Sequence, residues 1–125
     1  VLCLTSNPGA IDFQMPEMFL KVGEKVCEWN VLGNAGLVVG ATRPELISEL
    51  RKICGKMPFL IPGVGAQGGD LVKTLISADN NSRIPYVISA SRSILYSSVN
   101  DDFAIHAANS AKELRDKINL CRSSL

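Results

Sequence analysis

Four short apolar runs recur along the chain, and each is followed by a polar or glycine-rich loop and then by a helical pattern. The runs lie at 1–5, 36–40, 58–61 and 86–90. Near-continuous apolar strands that alternate with helices are typical of parallel βαβ units with right-handed crossovers. The spacing is roughly 30 residues, the size of one such unit. The sequence therefore predicts an α/β fold built from four βα units.

The helical patterns cover 16–30, 42–55, 69–78 and 102–121. In the first of them Pro16 is expected in the first turn, where its missing N–H costs nothing. Asp12 and Gln14 lie just before it and are expected to cap that helix. The second pattern opens on Thr42 with Glu45 three residues later, the spacing of a capping box.

Two architectures accommodate four βα units. One is a small doubly wound open sheet, and the other is half of a (β/α)8 barrel, which in full needs about 250 residues. A barrel places its functional groups at the carboxyl ends of the strands, and its phosphate site commonly uses the loops after strands 7 and 8. If these four strands are strands 5–8, the glycine loop follows strand 7 and Arg92 follows strand 8. We therefore predict that residues 1–125 form one domain, the C-terminal half of a (β/α)8 TIM barrel.

The composition excludes several classes of function. A net charge of +1 gives no electrostatic footprint for nucleic acid or for an acidic membrane. Aromatic residues make up 6% of the chain, too few for a base-stacking platform. No apolar run approaches the ~18 residues that suggest a membrane span. We expect a soluble protein with no nucleic-acid partner and no membrane partner.

The cysteines are not spaced for a metal site. Cys3, Cys27, Cys54 and Cys121 form no C-x-x-C pair, and His106 is the single histidine. Apolar neighbours favour free thiols in a reducing compartment, although an even count also permits disulfides. We expect no metal.

The segment Pro62–Asp70 carries four glycines between an apolar strand and a helix. Glycines let the backbone approach a ligand closely and turn N–H groups toward it. The amino terminus of the following helix adds a positive dipole at the same place. A structural turn is the alternative, but Gln67 inside the loop favours a phosphate site because a turn needs no amide there.

Four segments together resemble orotidine 5′-phosphate decarboxylase. They are Thr5–Gln14, Gly33–Thr42, Pro62–Asp70 and Ser91–Tyr96, and they occur in the family's order. The resemblance is to the longer subgroup of some bacteria and protists, in some of which this enzyme is fused to orotate phosphoribosyltransferase. It covers nearly the whole chain but corresponds only to the C-terminal half of the family.

The resemblance implies a (β/α)8 barrel that decarboxylates orotidine monophosphate to uridine monophosphate in pyrimidine biosynthesis, without metal or organic cofactor. The family's catalytic Asp-x-Lys-x-x-Asp motif is absent here, since Asp70 and Lys73 have the wrong spacing and open a helix. We therefore expect no catalytic residue in this chain, which alone would be inactive.

The resemblance also implies roles for individual residues at the phosphate. Gln67 would donate its side-chain amide to a phosphate oxygen, with neighbouring glycine N–H groups as further donors. Arg92 would present a planar fork that matches phosphate in a bidentate way, joined by the backbone N–H groups of Ser91 and Arg92. A solvated surface charge is the alternative for Arg92.

The resemblance implies three further substrate-binding residues. Ser6 matches the family residue that contacts the pyrimidine ring, and Pro62 matches part of the apolar wall over the base. Asn7 is a third candidate for substrate binding, with a loop-stabilising Asx turn as the alternative. Ser6 as an ordinary turn residue is the competing interpretation.

The implied partners are the small-molecule substrate, the N-terminal barrel half and a second copy in a homodimer. The expected compartment is the cytoplasm, with a glycosome-like organelle as the alternative. Two other functions stay open at this point. One is a different phosphate-binding barrel, such as a sugar-phosphate epimerase or synthase, and the other is a non-enzymatic half-barrel that binds phosphate.

Overall fold

The computed structural model describes residues 1–65, 67–79 and 84–124. It divides into two compact units, Val1–Ser89 and Ala90–Leu125. The first unit contains β1 (Leu2–Leu4), α1 (Ala10–Gln14), α2 (Met18–Trp29), β2 (Leu37–Val39), α3 (Pro44–Cys54), β3 (Phe59–Pro62), α4 (Leu71–Asp79) and β4 (Tyr86–Ser89). The second contains α5 (Arg92–Leu95) and α6 (Phe103–Ser123).

The first unit is built on a parallel four-stranded sheet in the order β1-β2-β3-β4. Each strand therefore pairs with the next one along the chain, with a helix between them, which confirms the predicted α/β fold of consecutive βα units. The longest continuous register joins β3 to β4, from Phe59 opposite Tyr86 to Pro62 opposite Ser89.

The two faces of this sheet differ in burial. On one face, strand residues of β1, β2 and β3 are at most 1% exposed and pack into one core with side chains of α2, α3 and α4; they are Leu4, Leu37, Val39, Phe59 and Ile61. Tyr86 and Ile88 of β4 are half-buried and pack against this core. On the other face a single row crosses the sheet, and its members are Leu2, Val38, Leu60 and Val87. Leu2, Leu60 and Val87 are 62%, 41% and 61% exposed. A doubly wound sheet would carry helices on both faces, whereas this uncovered apolar row is what a half-barrel would present as its interior.

The edge of the sheet at β1 is also apolar. A groove of about 310 Å³ lies between β1 and α2, and it is lined by Val1, Leu2, Met18, Lys21, Val22, Lys25, Val26 and Trp29. Trp29 is 66% exposed there. The sheet thus ends at β1 in uncovered hydrophobic side chains.

Two helix starts differ from the prediction. Pro16 lies in the turn before α2, not in its first turn. The capping box at Thr42 and Glu45 is wrong, because α3 begins at Pro44 with Arg43 at the N-cap and no side-chain hydrogen bond there. Pro44 favours the start of α3 at this position, because the φ angle of proline is fixed near the helical value.

Two short helices are not predicted by the sequence. The α1 helix has five residues and lies inside the loop after β1, and α5 has four residues and begins at Arg92. Segments this short show no helical period, so apolar spacing cannot reveal them.

Arg51 is a charged residue in the core of the first unit, 2% exposed. Its Nε donates to the carbonyl oxygen of Ala78 at 2.9 Å, and its Nη1 donates to those of Gly55 at 2.9 Å and Met57 at 2.6 Å. The guanidinium also stacks over the Phe59 ring at 3.7 Å. Burial lowers its pKa to about 10, so it stays charged at neutral pH. One side chain thereby ties α3 to the end of α4 and to the turn before β3.

We predict that Arg51→Met lowers the free energy of unfolding by about 3 kcal/mol, because three carbonyl groups lose their donor in a buried place. Arg51→Lys will recover little of this loss, since an ammonium group has no planar fork and does not stack in the same way. Urea unfolding measures the effect. Lys52→Met is the matched control on the exposed side of the same helix, and an equal loss in the two variants would contradict the assignment.

The four cysteines are free thiols. Burial raises the pKa of Cys3 to about 11 and that of Cys54 to about 12. Cys27 and Cys121 are half-buried. The buried pair should therefore hold almost no thiolate, the reactive form, at pH 8.

We predict that iodoacetamide at pH 8 modifies Cys27 and Cys121 first, and that it reaches Cys3 and Cys54 only under unfolding conditions. Peptide mapping of the alkylated sites over time measures the order. Rapid labelling of Cys54 in the folded chain would show that the α2–α3 core opens readily.

Candidate functional site

The carboxyl ends of β1, β2 and β3 lie side by side at one edge of the sheet. The Gly40 N–H donates to the Leu4 carbonyl at 2.8 Å, and the Ala41 N–H donates to the Pro62 carbonyl at 2.9 Å. These two bonds extend the strand pairing into the loops that follow. Segments far apart in the sequence are thereby held next to one another, as parallel strands require.

Ser6 occupies space that two glycines leave open. A Cβ on Gly40 would collide with the Ser6 Oγ and would lie 3.1 Å from its backbone nitrogen. A Cβ on Gly63 would lie 3.0 Å from the same Oγ. The Ser6 side chain is half-buried between the ends of β2 and β3 for this reason. The role of Gly40 is not evident from the sequence, since glycine at a strand end also fits an ordinary turn.

Gln67 reaches the same point from the glycine loop. Its Oε1 lies 2.8 Å from the place where a Gly63 side chain would begin, beside the Ser6 Oγ. Gly63 has a φ of 95°, which further disfavours any residue other than glycine. Ser6 and Gln67, predicted from separate motifs, are thus brought together over Gly63.

The amide groups of the glycine loop are largely used within the loop. Gly65 N–H donates to the Gly69 carbonyl at 2.9 Å, Gly68 N–H to that of Gly65 at 2.8 Å, and Gly69 N–H to that of Gly63 at 3.1 Å. In this conformation these three groups do not serve as the phosphate donors that the sequence suggests. The loop is instead internally braced by these hydrogen bonds, and Gln67 within it is exposed.

The loop passes directly into α4. A Cβ on Gly69 would lie 2.7 Å from that of Ala41, so only glycine allows this approach to the end of β2. Asp70 caps the helix, since its Oδ1 accepts the N–H of Lys73 at 3.0 Å and its carbonyl accepts that of Thr74 at 3.0 Å. This confirms the predicted helix start and leaves Asp70 in a structural role.

Asn7 directly follows Ser6 in the chain, and Pro62 directly precedes Gly63. The Asn7 Oδ1 accepts a hydrogen bond from the Thr5 hydroxyl at 2.5 Å, and its backbone carbonyl accepts the N–H of Ala10 at 3.1 Å. Pro62 is the last residue of β3, half-buried and opposite Ser89. Contact of either residue with a substrate stays a prediction.

Gln14 does not cap α2 as predicted. Its side chain turns back to the end of β1, where Oε1 accepts the Thr5 N–H at 2.9 Å and Nε2 donates to the Thr5 hydroxyl at 2.9 Å. The sequence offers one hint of this contact, an amide within a strand-end loop, as at Gln67.

Ser91 and Arg92 belong to the second unit. The Ser91 carbonyl accepts the N–H groups of Ile94 at 3.1 Å and Leu95 at 2.8 Å, and Arg92 is the first residue of α5. Both side chains are exposed. Their assignment to a phosphate group stays a prediction.

Elsewhere in the second unit, Asp102 and His106 form a pair on α6, with Oδ2 and Nε2 3.0 Å apart. A hydrogen bond from Ser98, assisted by His106, lowers the pKa of Asp102. Across the described residues, no three His, Cys, Asp or Glu side chains cluster in a way that could hold a metal ion. Nor does any helix in those ranges have the length and apolar character to cross a bilayer.

The fold and the strand-end site define the class of protein: the chain forms half of a parallel (β/α)8 barrel. No protein-family model matches the chain. Orotidine 5′-phosphate decarboxylase of Dehalococcoides mccartyi is 46% identical over 128 residues, which cover 95% of this chain and 47% of that protein.

Two solved structures agree with this match. The Leishmania donovani OMP decarboxylase has a TM-score of 0.79 at 34% identity, and the match covers 98% of this chain and 47% of that chain. The Leishmania donovani UMP synthase has a TM-score of 0.79 at 38% identity, and the match covers 98% of this chain and 27% of that chain. The resemblance to orotidine 5′-phosphate decarboxylase is confirmed, and the chain spans about half the length of the curated relatives it matches.

We predict that Gly40→Ala displaces Ser6 and lowers the free energy of unfolding by about 1–3 kcal/mol, the usual effect of overpacking. Ser6→Ala should recover part of this loss, because it removes the Oγ that the new methyl group meets. Thermal unfolding and the NMR shift of the Ser6 amide measure the two effects. Gly9→Ala is the control in the same region, where a Cβ finds only an ordinary 3.5 Å contact with Asn7; equal stability of the two variants would contradict the packing argument.

Proposed function

We propose that this chain forms the nucleotide- and phosphate-binding half of an orotidine 5′-phosphate decarboxylase. The complete protein would convert orotidine monophosphate to uridine monophosphate. The observation that carries this proposal is the 46% identity to a decarboxylase along 95% of the chain. Identity this high over four consecutive strand-end loops favours a shared substrate.

The convergence of Ser6 and Gln67 supports the proposal physically. Ser6 offers a hydroxyl that can both donate and accept, which suits the edge of a pyrimidine ring. Gln67 is exposed on a braced loop, so its amide can donate to a phosphate oxygen without disturbing the core. The two side chains meet over Gly63 and could hold the two ends of one nucleotide. Pro62 would then contribute an apolar wall, and Asn7 would support the loop of Ser6.

Arg92 would supply the positive charge for the phosphate, with the backbone N–H groups of Ser91 and Arg92 as additional donors. A guanidinium fork and a phosphate make two parallel charge-assisted hydrogen bonds, which are stronger than bonds to neutral amides. Binding of the remote phosphate would help to position the reacting carboxylate, which is how substrate groups away from the chemistry assist catalysis.

The reacting groups themselves would come from the other barrel half. This chain has no Asp-x-Lys-x-x-Asp segment, and its apolar row at Leu2, Val38, Leu60 and Val87 lies open on the uncovered face of the sheet. An N-terminal half that pairs with β1 would cover this row and supply the catalytic lysine and aspartates. We propose further that the complete barrel acts as a homodimer in the cytoplasm.

The test is a chimera in which this chain replaces the homologous half of the Dehalococcoides mccartyi decarboxylase. Circular dichroism and sedimentation establish that it folds. Loss of orotidine monophosphate absorbance then measures decarboxylation, with the unmodified decarboxylase as reference. A folded chimera that binds uridine monophosphate without turnover would favour a non-enzymatic binding module, and one that does neither would overturn the proposal.

In the active chimera, we predict that Arg92→Ala lowers kcat/KM by a factor that corresponds to about 2–5 kcal/mol, the range for a desolvated charge pair. Steady-state kinetics measure it. Arg115→Ala on α6, where the side chain pairs at the surface with Asp116, serves as the matched arginine control. A change below fivefold for Arg92→Ala would remove that residue from the phosphate site.

A further inference from the structure

We propose that Gln14 is a positioning residue that holds Ser6 in its place for the nucleotide. The inference rests on the function proposed above, because it concerns the same site. Gln14 itself lies one side chain away from Ser6 and would act through Thr5.

Three hydrogen bonds carry the proposal. Gln14 Oε1 accepts the Thr5 N–H at 2.9 Å, and Gln14 Nε2 donates to the Thr5 Oγ1 at 2.9 Å. The Thr5 hydroxyl then donates its own proton to the Asn7 Oδ1 at 2.5 Å. The result is a continuous chain of side chains from α1 to the residues on either side of Ser6.

An amide is suited to this position by its chemistry. The Thr5 backbone needs an acceptor, and the Thr5 hydroxyl needs a donor because its own proton is used on Asn7. A side-chain amide presents an acceptor oxygen and a donor nitrogen on one carbon at any pH, and glutamine has a longer reach than asparagine. Thr5 and Gln14 are both half-buried. Loss of these hydrogen bonds would therefore leave the Thr5 N–H without its acceptor where water has limited access.

The geometry links this network to Ser6. Thr5 and Asn7 precede and follow Ser6; their side chains are hydrogen-bonded to each other, and that of Thr5 is also bonded to Gln14. The Ser6 Oγ lies in the space that Gly40 and Gly63 leave open. The residues that flank Ser6 are therefore fixed by this network, and releasing Thr5 should let Ser6 move away from the space beside Gly63 that Gln67 also reaches.

The experiment uses the chimera described above with two probes, uridine monophosphate and ribose 5-phosphate. Gln14→Met removes both hydrogen bonds at nearly constant size, and Asp12→Asn on the exposed side of α1 is the matched control. Isothermal titration gives both dissociation constants for each variant. We expect Gln14→Met to weaken uridine monophosphate binding about tenfold, the scale of one or two hydrogen bonds, and to leave ribose 5-phosphate binding unchanged, because Ser6 serves the base.

A double-mutant cycle with Ser6→Ala separates positioning from a general structural effect. If Gln14 acts through Ser6, Gln14→Met should add no further loss of uridine monophosphate binding when Ser6 is already alanine. Additive losses, an equal loss for both probes, or no loss in the single variant would each overturn the proposal. If the unmodified chimera folds but does not bind uridine monophosphate, the proposed function fails first, and the role of Gln14 fails with it.

Thr5→Val provides a second variant if Gln14→Met does not fold. It keeps the backbone N–H bond to Gln14 and removes only the hydroxyl that links Gln14 to Asn7. We expect a smaller loss of uridine monophosphate binding, with ribose 5-phosphate again unaffected. A selective loss supports the relay through Thr5, and unchanged binding of uridine monophosphate overturns it.

Discussion

The parallel register of β1, β2 and β3 is the constraint on which the candidate site depends. Hydrogen bonds from Gly40 to Leu4 and from Ala41 to Pro62 bring three loops to one edge of the sheet. The space for Ser6 exists only because these strand ends are adjacent and because Gly40 and Gly63 have no side chains. A shift of one residue in either pairing would separate Ser6 from Gln67.

The rest of the first unit keeps that register in place. Arg51 joins α3 to α4 and to the turn before β3, at the opposite end of the strands from the site. Its charge is tolerated in the core because three carbonyl groups and an aromatic face surround it. The hydrogen bonds of Arg51 thus anchor the helices at the amino end of the strands. The closely packed glycines Gly40 and Gly63 lie at the carboxyl end.

Much of this arrangement could be predicted from the sequence. Alternation of apolar strands and helices indicated the four βα units, and the glycine segment indicated the loop between β3 and α4. Chemistry at single positions was harder to predict. Gln14 was expected to cap a helix, yet it binds Thr5, because both roles use the same amide and only the path of α1 decides between them. The loop amides of Gly65 and Gly69 were expected to face a phosphate, yet they bond within the loop.

The sequence by itself determined the order of the four strands and the longer helices, and the family resemblance, since these depend on local period and on short motifs. The tertiary structure decided which side chains meet. Ser6 and Gln67 share a point over Gly63 because three parallel strands end together, and no local pattern encodes that contact. The open row from Leu2 to Val87 was likewise decided by the sheet, because burial of a strand face depends on what packs against it.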